Sequence, residues 1–422
     1  MRQDHKALLI KMFDAAIEAA DPLAAMKPHL PEKPKGRTVV IGAGKGAAQM
    51  GAAFEQLWDA PLTGTIVTRY GYGANCKYLK VLEASHPVPD AAGLEASASL
   101  FEAVQGLSED DLVVALVCGG GSSLLPAPPE GLTLADEQAL NEALLASGAP
   151  IGAMNAIRKH CSMIKGGRLA QAAFPARVVS LVVSDVPGDD PAQVASGPTV
   201  PDTVTLEDAL ALIKSLRIEL PSAITAHLQT EAARAPSPSD AAFARNEVKV
   251  VASAGISLAA ADRVAREAGY TTAILSDAIE GEARDIGLMH AALAKHILSK
   301  NAPFKKPAII LSGGETTVTL RAKGRGGRNT EFLLSFANAI EGFEGITALA
   351  ADTDGIDGSE DNAGAFADAK STARMRESGV DPKAALSAND AWGAFNAAGD
   401  IFMTGPTGTN VNDLRVIIVE DV

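Results

Sequence analysis

Five glycine-bearing segments place charged or reactive side chains beside nearly bare backbone: Gly42-Ala-Gly-Lys-Gly46, Cys118-Gly-Gly-Gly-Ser-Ser123, Ser184-Asp-Val-Pro-Gly-Asp-Asp190, Ser312-Gly-Gly-Glu-Thr-Thr317 and Ala351-Asp-Thr-Asp-Gly-Ile-Asp-Gly358. Each follows an apolar run, so each reads as the loop beyond the carboxyl end of a strand, where open α/β sheets bind ligands. Lys45, flanked by Gly42, Gly44 and Gly46, puts a full positive charge at the start of a helix, which suits phosphate or a phosphoryl group in flight. Gly119, Gly120 and Gly121 can turn successive amides toward an anion, and Ser122 and Ser123 add hydroxyl donors, so this loop reads as an oxyanion cradle. Two carboxylate clusters, Asp185, Asp189, Asp190 and Asp352, Asp354, Asp357, could share Mg2+ or accept a hydroxyl's proton; Asp189 and Asp354 are the two singled out. The densest basic stretch, Arg321 to Glu331, carries Arg325 and Arg328 among glycines, able to clamp phosphates in a bidentate fashion.

Rival chemistries leave weaker traces. Gly42 to Ala48 satisfies a Gly-x-Gly-x-x-Ala dinucleotide fingerprint, a weak signal alone. The run ending at Thr68-Arg69-Tyr70 lacks the acidic ribose ligand, which counts against NAD, while Arg69 would suit a 2′-phosphate and leaves NADP open. The four-residue spacing and Gly-Lys-Ser/Thr end of a Walker loop are absent. A serine hydrolase would need a Gly-x-Ser-x-Gly elbow and a paired histidine, and neither is evident. Asp352 to Gly358 lacks the terminal glutamate of a calcium loop. Arg158-Lys-His160 and Lys165-Gly-Gly-Arg168 read equally as anion contacts or as helix-end charges. His86, in Ser85-His-Pro-Val-Pro-Asp90, is open to either a substrate contact or a structural role.

These loops need strands to hold them. Apolar β-branched runs at 38–41, 64–68, 112–117, 178–183, 248–251, 308–311, 346–349 and 416–419 are continuous rather than alternating, as in strands covered on both faces. Helical patterns lie between, over 4–20, 46–58, 89–106, 134–147, 151–160, 255–269, 281–299 and 330–340, which makes an α/β chain. At 422 residues two domains are expected. The Pro- and Ser-rich stretch 231–240 is the expected linker, dividing the chain into 1–240 and 241–422. A run of Thr316 to Arg321 suggests an antiparallel strand and a mixed second sheet. With 37 basic against 51 acidic side chains and a net charge of -14, the chain would repel a nucleic-acid backbone on balance. No apolar stretch approaches the ~20 residues of a membrane span, so membrane insertion is not expected. Three cysteines, Cys76, Cys118 and Cys161, lack metal spacing and fit a reducing cytoplasm.

Taken in order, ten segments resemble the glycerate 2-kinase family, whose C-terminal half is the MOFRL domain and whose members often carry a hydroxypyruvate reductase label. They are Gly42-Ala-Gly-Lys-Gly46, Ser85-His-Pro-Val-Pro-Asp90, Cys118-Gly-Gly-Gly-Ser-Ser123, Lys165-Gly-Gly-Arg-Leu169, Ser184-Asp-Val-Pro-Gly-Asp189, Ala195-Ser-Gly-Pro-Thr199, Gly313-Gly-Glu315, Gly326-Gly-Arg-Asn-Thr-Glu331, Asp352-Thr-Asp-Gly-Ile-Asp-Gly358 and Thr404-Gly-Pro-Thr-Gly-Thr-Asn-Val-Asn-Asp413. The resemblance implies a Rossmann-like N-terminal domain with a parallel sheet, a C-terminal α/β domain with a mixed sheet, and ATP-dependent phosphorylation of D-glycerate at its 2-hydroxyl with Mg2+. The family's catalytic lysine falls on Lys45 and its arginine on Arg328, with carboxylates on Asp189 and Asp354, which are also the expected metal ligands. Gly42, Gly44, Gly119, Gly120, Gly121, Ser122, Ser123, Gly313, Gly314, Glu315 and Arg325 are the expected nucleotide contacts. The alternative is an NAD(P)H-dependent hydroxypyruvate reductase. D-glycerate and ATP are the expected partners, and a homodimer is compatible with the sequence.

Overall fold

The computed structural model describes residues 1–421, and its two compact units each hold one six-stranded sheet. The unit Pro22–Val251 contains β1 (Thr38–Ala43), β2 (Thr63–Arg69), β3 (Leu79–Ala84), β4 (Leu112–Cys118), β5 (Arg177–Val183) and β6 (Glu247–Ala252), in the order β3-β2-β1-β4-β5-β6. The first five run parallel: β1 pairs with both β2 and β4, β2 with β3, and β4 with β5. Every residue of β1 and β4 is buried, as their unbroken apolarity requires. Strand order reverses between β1 and β4, so the loops after these two strands open beside each other at the topological switch point.

The second unit takes Ala252 onward and also the segment Met1–Asp21, which holds the first helix. Its strands are β7 (Thr271–Ile274), β8 (Ala308–Gly314), β9 (Ile346–Asp352), β10 (Gly364–Asp368), β11 (Ile401–Phe402) and β12 (Asp413–Val419), ordered β11-β10-β9-β12-β8-β7. β7 and β8 are parallel, while β12 runs antiparallel between β8 and β9, and β10 antiparallel to β9 and β11. The sheet is mixed, but not through the segment 316–321. That segment makes one isolated bridge, Thr317 with Glu282. Side chains take its amides instead: Thr319 N donates to the Glu282 carboxylate at 3.2 Å and Arg321 N to Asn389 Oδ1 at 2.7 Å. A threonine-rich pattern cannot reveal that a side chain will replace the ladder.

Two boundary expectations also change. The helix Gln3–Ala20 lays Leu9, Met12, Phe13 and Ala16 against Leu258, Ala261 and Ala265 of the helix Ala254–Glu267. Phe13 meets Phe402 edge-on at 5.0 Å, and Ser257 Oγ donates to Ala16 O at 2.8 Å. The start of the chain therefore belongs to the second unit, and the division falls at 251/252 rather than 240/241. Residues 231–240 are not a free linker, because Arg168 Nη2 donates to Arg234 O at 2.7 Å and His160 Nδ1 lies 2.9 Å from Ala233 O. Among the described residues, no helix is long and apolar enough to cross a membrane.

Phe13→Ala should lower the stability of the second unit by ~3–5 kcal/mol, read by denaturant unfolding of the full chain. An effect under ~1 kcal/mol would show that the first helix is not part of that core.

Candidate active site

In the unit Pro22–Val251 the turn after β1 is built against the end of β4. Gly44 has φ 138, and a Cβ there would lie 2.4 Å from both Cys118 O and Sγ, so no side chain fits. The turn's own amides are consumed: Gly44 N donates to Val67 O at 3.1 Å, Lys45 N to Gly119 O at 2.9 Å, and Gly46 N to Cys118 Sγ at 3.1 Å. Burial pushes the Cys118 thiol up to about 12, so this acceptor is a thiol rather than a thiolate. Thr68 Oγ1 donates to Lys45 O at 3.1 Å, fastening β2 to the same turn. What the turn presents is therefore the Lys45 side chain and the start of the helix Ala47–Leu57, not a nest of its own amides.

Lys45 runs across Gly120. A Cβ on Gly120, whose φ is 78, would lie 2.9 Å from Lys45 Cγ, 3.0 Å from its Cε and 3.1 Å from His86 Nε2. Ammonium and imidazole thus share the bare face of one glycine. Burial, with help from Lys45 and Arg69, holds the His86 imidazole down at about 4, so it is neutral near pH 7. Within this unit no described carboxylate pairs with Lys45 or with Arg69. The Asp185 carboxylate fills the space over Gly119, 1.9 Å from where a Cβ would stand. Ser122 and Ser123 turn their hydroxyls inward: Ser122 Oγ lies 2.9 Å from Ser196 Oγ, which donates to Asn155 Oδ1 at 3.2 Å, and Ser123 Oγ donates to Gly120 O at 3.4 Å. Gly42 lies inside β1, where a Cβ would meet Leu116 O at 2.8 Å, a packing constraint rather than a ligand contact. Asp189, at φ 55, bears a carboxylate with no partner among the described residues of its unit, whereas Asp190 accepts from Ala192 N at 3.0 Å. Lys165 and Arg168 are structural: Lys165 Nζ pairs with Glu137 at 2.6 Å, and Arg168 binds carbonyls.

The second unit carries its own polar cluster where β8, β9 and β12 meet the helix Arg328–Ala339. Arg328 donates through Nε to Asp413 Oδ1 at 2.7 Å, through Nη2 to Asp352 Oδ2 at 2.7 Å, and through Nη1 to Glu315 Oε1 at 3.2 Å. Burial opposes its charge, but Asp413 and Asp352 overcome that and raise its pKa. Asp352 is raised well above the usual carboxylate range, by burial first and then by Asp413 and Asp354 against the pull of Arg328. Arg328 stays charged within this set. Asp357 caps the helix, accepting from Asn329 N at 2.9 Å and Thr330 N at 2.8 Å. Asp354 donates its amide to Asp352 Oδ1 at 3.1 Å, and its Oδ1 accepts from Ile356 N at 2.8 Å. Gly313 and Gly314 end β8. Arg325 stands apart from this cluster, over the Trp392 ring at 4.2 Å and 3.7 Å from Asp390.

Sequence reasoning singled out Lys45, Arg328 and Asp354 but missed what holds them. Asp413 was present only as the end of a resembling segment, and Asp352 and Asp357 only as members of a cluster. Nothing in their spacing says that Asp413 will join Arg328 to a fully buried Arg415.

Residues 8–229 match DUF4147, a domain of unknown function, and residues 308–413 match the MOFRL family. The chain is 39% identical over 416 residues to a D-glycerate 2-kinase of Thermotoga maritima, covering 98% of each chain. It is 35% identical over 438 residues to a glycerate 2-kinase of Pyrococcus horikoshii, covering 99% of this chain and 98% of that one. A relative from Agrobacterium vitis bearing a hydroxypyruvate reductase name is 52% identical over 417 residues, 98% of this chain and 94% of its own. A crystal structure of a glycerate kinase from Thermotoga maritima superposes with a TM-score of 0.91 at 37% identity, over 99% of this chain and 100% of that one.

Proton NMR of the His86 ring should give a titration midpoint near 4. In Lys45→Met the midpoint should rise part of the way toward 6.5, because one cation is gone while burial persists. An unchanged midpoint would mean that Lys45 does not face the imidazole.

Proposed function

Because the chain belongs to the glycerate 2-kinase family, we propose that it transfers the γ-phosphoryl group of ATP to the 2-hydroxyl of D-glycerate, giving 2-phospho-D-glycerate. The observation that carries this reading is the Lys45 ammonium, unpaired in its unit and laid over Gly120 where β1 and β4 end. Phosphoryl transfer asks a protein for positioning and charge compensation more than for covalent chemistry. Lys45 supplies an unneutralised point charge for the moving group. The N-terminus of the helix Ala47–Leu57 reinforces it with its dipole.

Arg328 is the second cation assigned to the reaction. Its three carboxylate partners fix the guanidinium plane and leave its side chain about one quarter exposed. Asp352, buried with Oδ2 accepting from Arg328 and Oδ1 from Asp354 N, serves to hold the guanidinium in place. Asp189 in the unit Pro22–Val251 and Asp354 in the second unit are each a carboxylate able to take Mg2+. Asp189 is free of other partners in its unit, and Asp354 uses one oxygen on Ile356 N. One or two carboxylates beside nucleotide phosphates meet the ion's usual demand, and its chemistry there is to neutralise phosphate charge. The three cysteines are unpaired, in keeping with a cytoplasmic setting.

With ATP, Mg2+ and D-glycerate the protein should form ADP in a coupled assay, and phosphorus NMR should show the 2-phospho product. Formation of the 3-phospho isomer would overturn the regiochemistry. Oxidation of NAD(P)H by hydroxypyruvate without ADP formation would overturn the kinase reading. Arg328→Lys keeps the charge but loses the fork to Asp413 and Asp352, and should lower kcat about 100-fold with the fold intact.

A further inference from the structure

Arg69 is the last residue of β2 and pairs in register with Ala84, the last of β3, so His86 follows two residues beyond Arg69's neighbour. Thr68, the residue before Arg69, is bonded to the carbonyl of Lys45. The ends of β1, β2, β3 and β4 therefore bring Lys45, Arg69, His86 and Gly120 to one place. In a chain with 51 acidic side chains, Arg69 has no ion-pair partner in its unit among the described residues. Its guanidinium lies over the Tyr72 ring at 3.8 Å from the centroid. Stacking holds the plane and leaves the N–H edges unused. Tyr72 is itself steadied, since its amide donates to Arg69 O at 3.1 Å, and the adjacent Tyr70 hydroxyl donates to Asp90 at 2.7 Å.

We propose that Arg69, with the His86 ring beside it, is the subsite for the acceptor's carboxylate, so that this chain selects small 2-hydroxy carboxylic acids over neutral polyols. The proposal rests on the kinase reading and deepens it. A planar fork of donors matches a planar carboxylate two bonds to two oxygens, whereas the compact ammonium of Lys45 suits a phosphoryl group that must move. The neutral imidazole adds an N–H donor without a third positive charge, which would hold the product too tightly. Arg69 thus recognises the substrate, and Lys45 serves the reacting group.

The test uses the full chain with Arg69→Met and Arg69→Lys, both checked for an unchanged unfolding midpoint. Removing one charge-assisted pair should raise the KM for D-glycerate about 10- to 100-fold in Arg69→Met, with the KM for ATP within about twofold and kcat falling less than KM rises. Arg69→Lys should be intermediate, since it keeps charge but not the fork. Glycerol, the neutral acceptor, should react equally poorly with wild type and Arg69→Met, so the preference for the acid collapses. A rise in the KM for ATP instead would place Arg69 on the nucleotide phosphates and overturn the proposal, as would no change in either KM. Should the wild type form no ADP, the kinase reading fails on its own. Calorimetric titration with D-glycerate still decides the subsite, because loss of the binding heat in Arg69→Met supports it and an unchanged isotherm refutes it.

Discussion

Everything in the proposed chemistry depends on positive charge left unneutralised inside a chain that is acidic overall. A free ammonium among 51 carboxyl groups would normally find a partner, and surface pairs of that kind form readily here. Lys45 escapes pairing because of where the backbone sends it. The turn fastened to Cys118, Gly119 and Val67 directs the side chain across Gly120, whose bare face it shares with the neutral His86 imidazole. The glycines are thus a means of keeping carbon atoms, and with them other side chains, out of the way.

The two units handle charge in opposite ways. In the unit Pro22–Val251, Lys45 and Arg69 are unpaired and oriented by a bare backbone and by a tyrosine ring. In the second unit, Arg328 is surrounded by Asp413, Asp352 and Glu315, and Asp413 is in turn held by Arg415 and Asn329. Such a network costs desolvation and is a poor source of stability, but it fixes a guanidinium in one orientation. Phosphoryl transfer gains most of its rate from preorganised electrostatics, and each unit preorganises its cations by a different device.

Much of the architecture was legible because burial on both faces writes a simple pattern. The eight apolar runs at 38–41, 64–68, 112–117, 178–183, 248–251, 308–311, 346–349 and 416–419 all became strands. The strands β7, β10 and β11 were not foreseen. β10, Gly364-Ala-Phe-Ala-Asp, has no β-branched residue, and β11 has only two residues; partners, not propensity, make them strands. The helix Leu206–Ser215 was also missed, although Thr205 and Asp208 write its capping box. Glycine-flanked Lys45 and Arg328, the two cations of the proposed site, stood out by composition. Asp413 and Arg415 did not, since their roles depend on distant segments meeting in the fold; Arg69 and Tyr72 are only three residues apart, but their stacking depends on the turn that follows β2. The first helix shows the same limit: its helical pattern over 4–20 was readable, but not the unit it would join.

The central claim, that the Lys45 ammonium itself compensates charge during transfer, is tested most directly by chemical rescue. Lys45→Ala leaves a space along Gly120 that a small alkylammonium can enter. The account predicts a large loss of ADP formation in Lys45→Ala, restored in a saturable way by methylammonium or ethylammonium and not by ethanol of similar size. Near-normal turnover in a folded Lys45→Ala protein without added amine would contradict it.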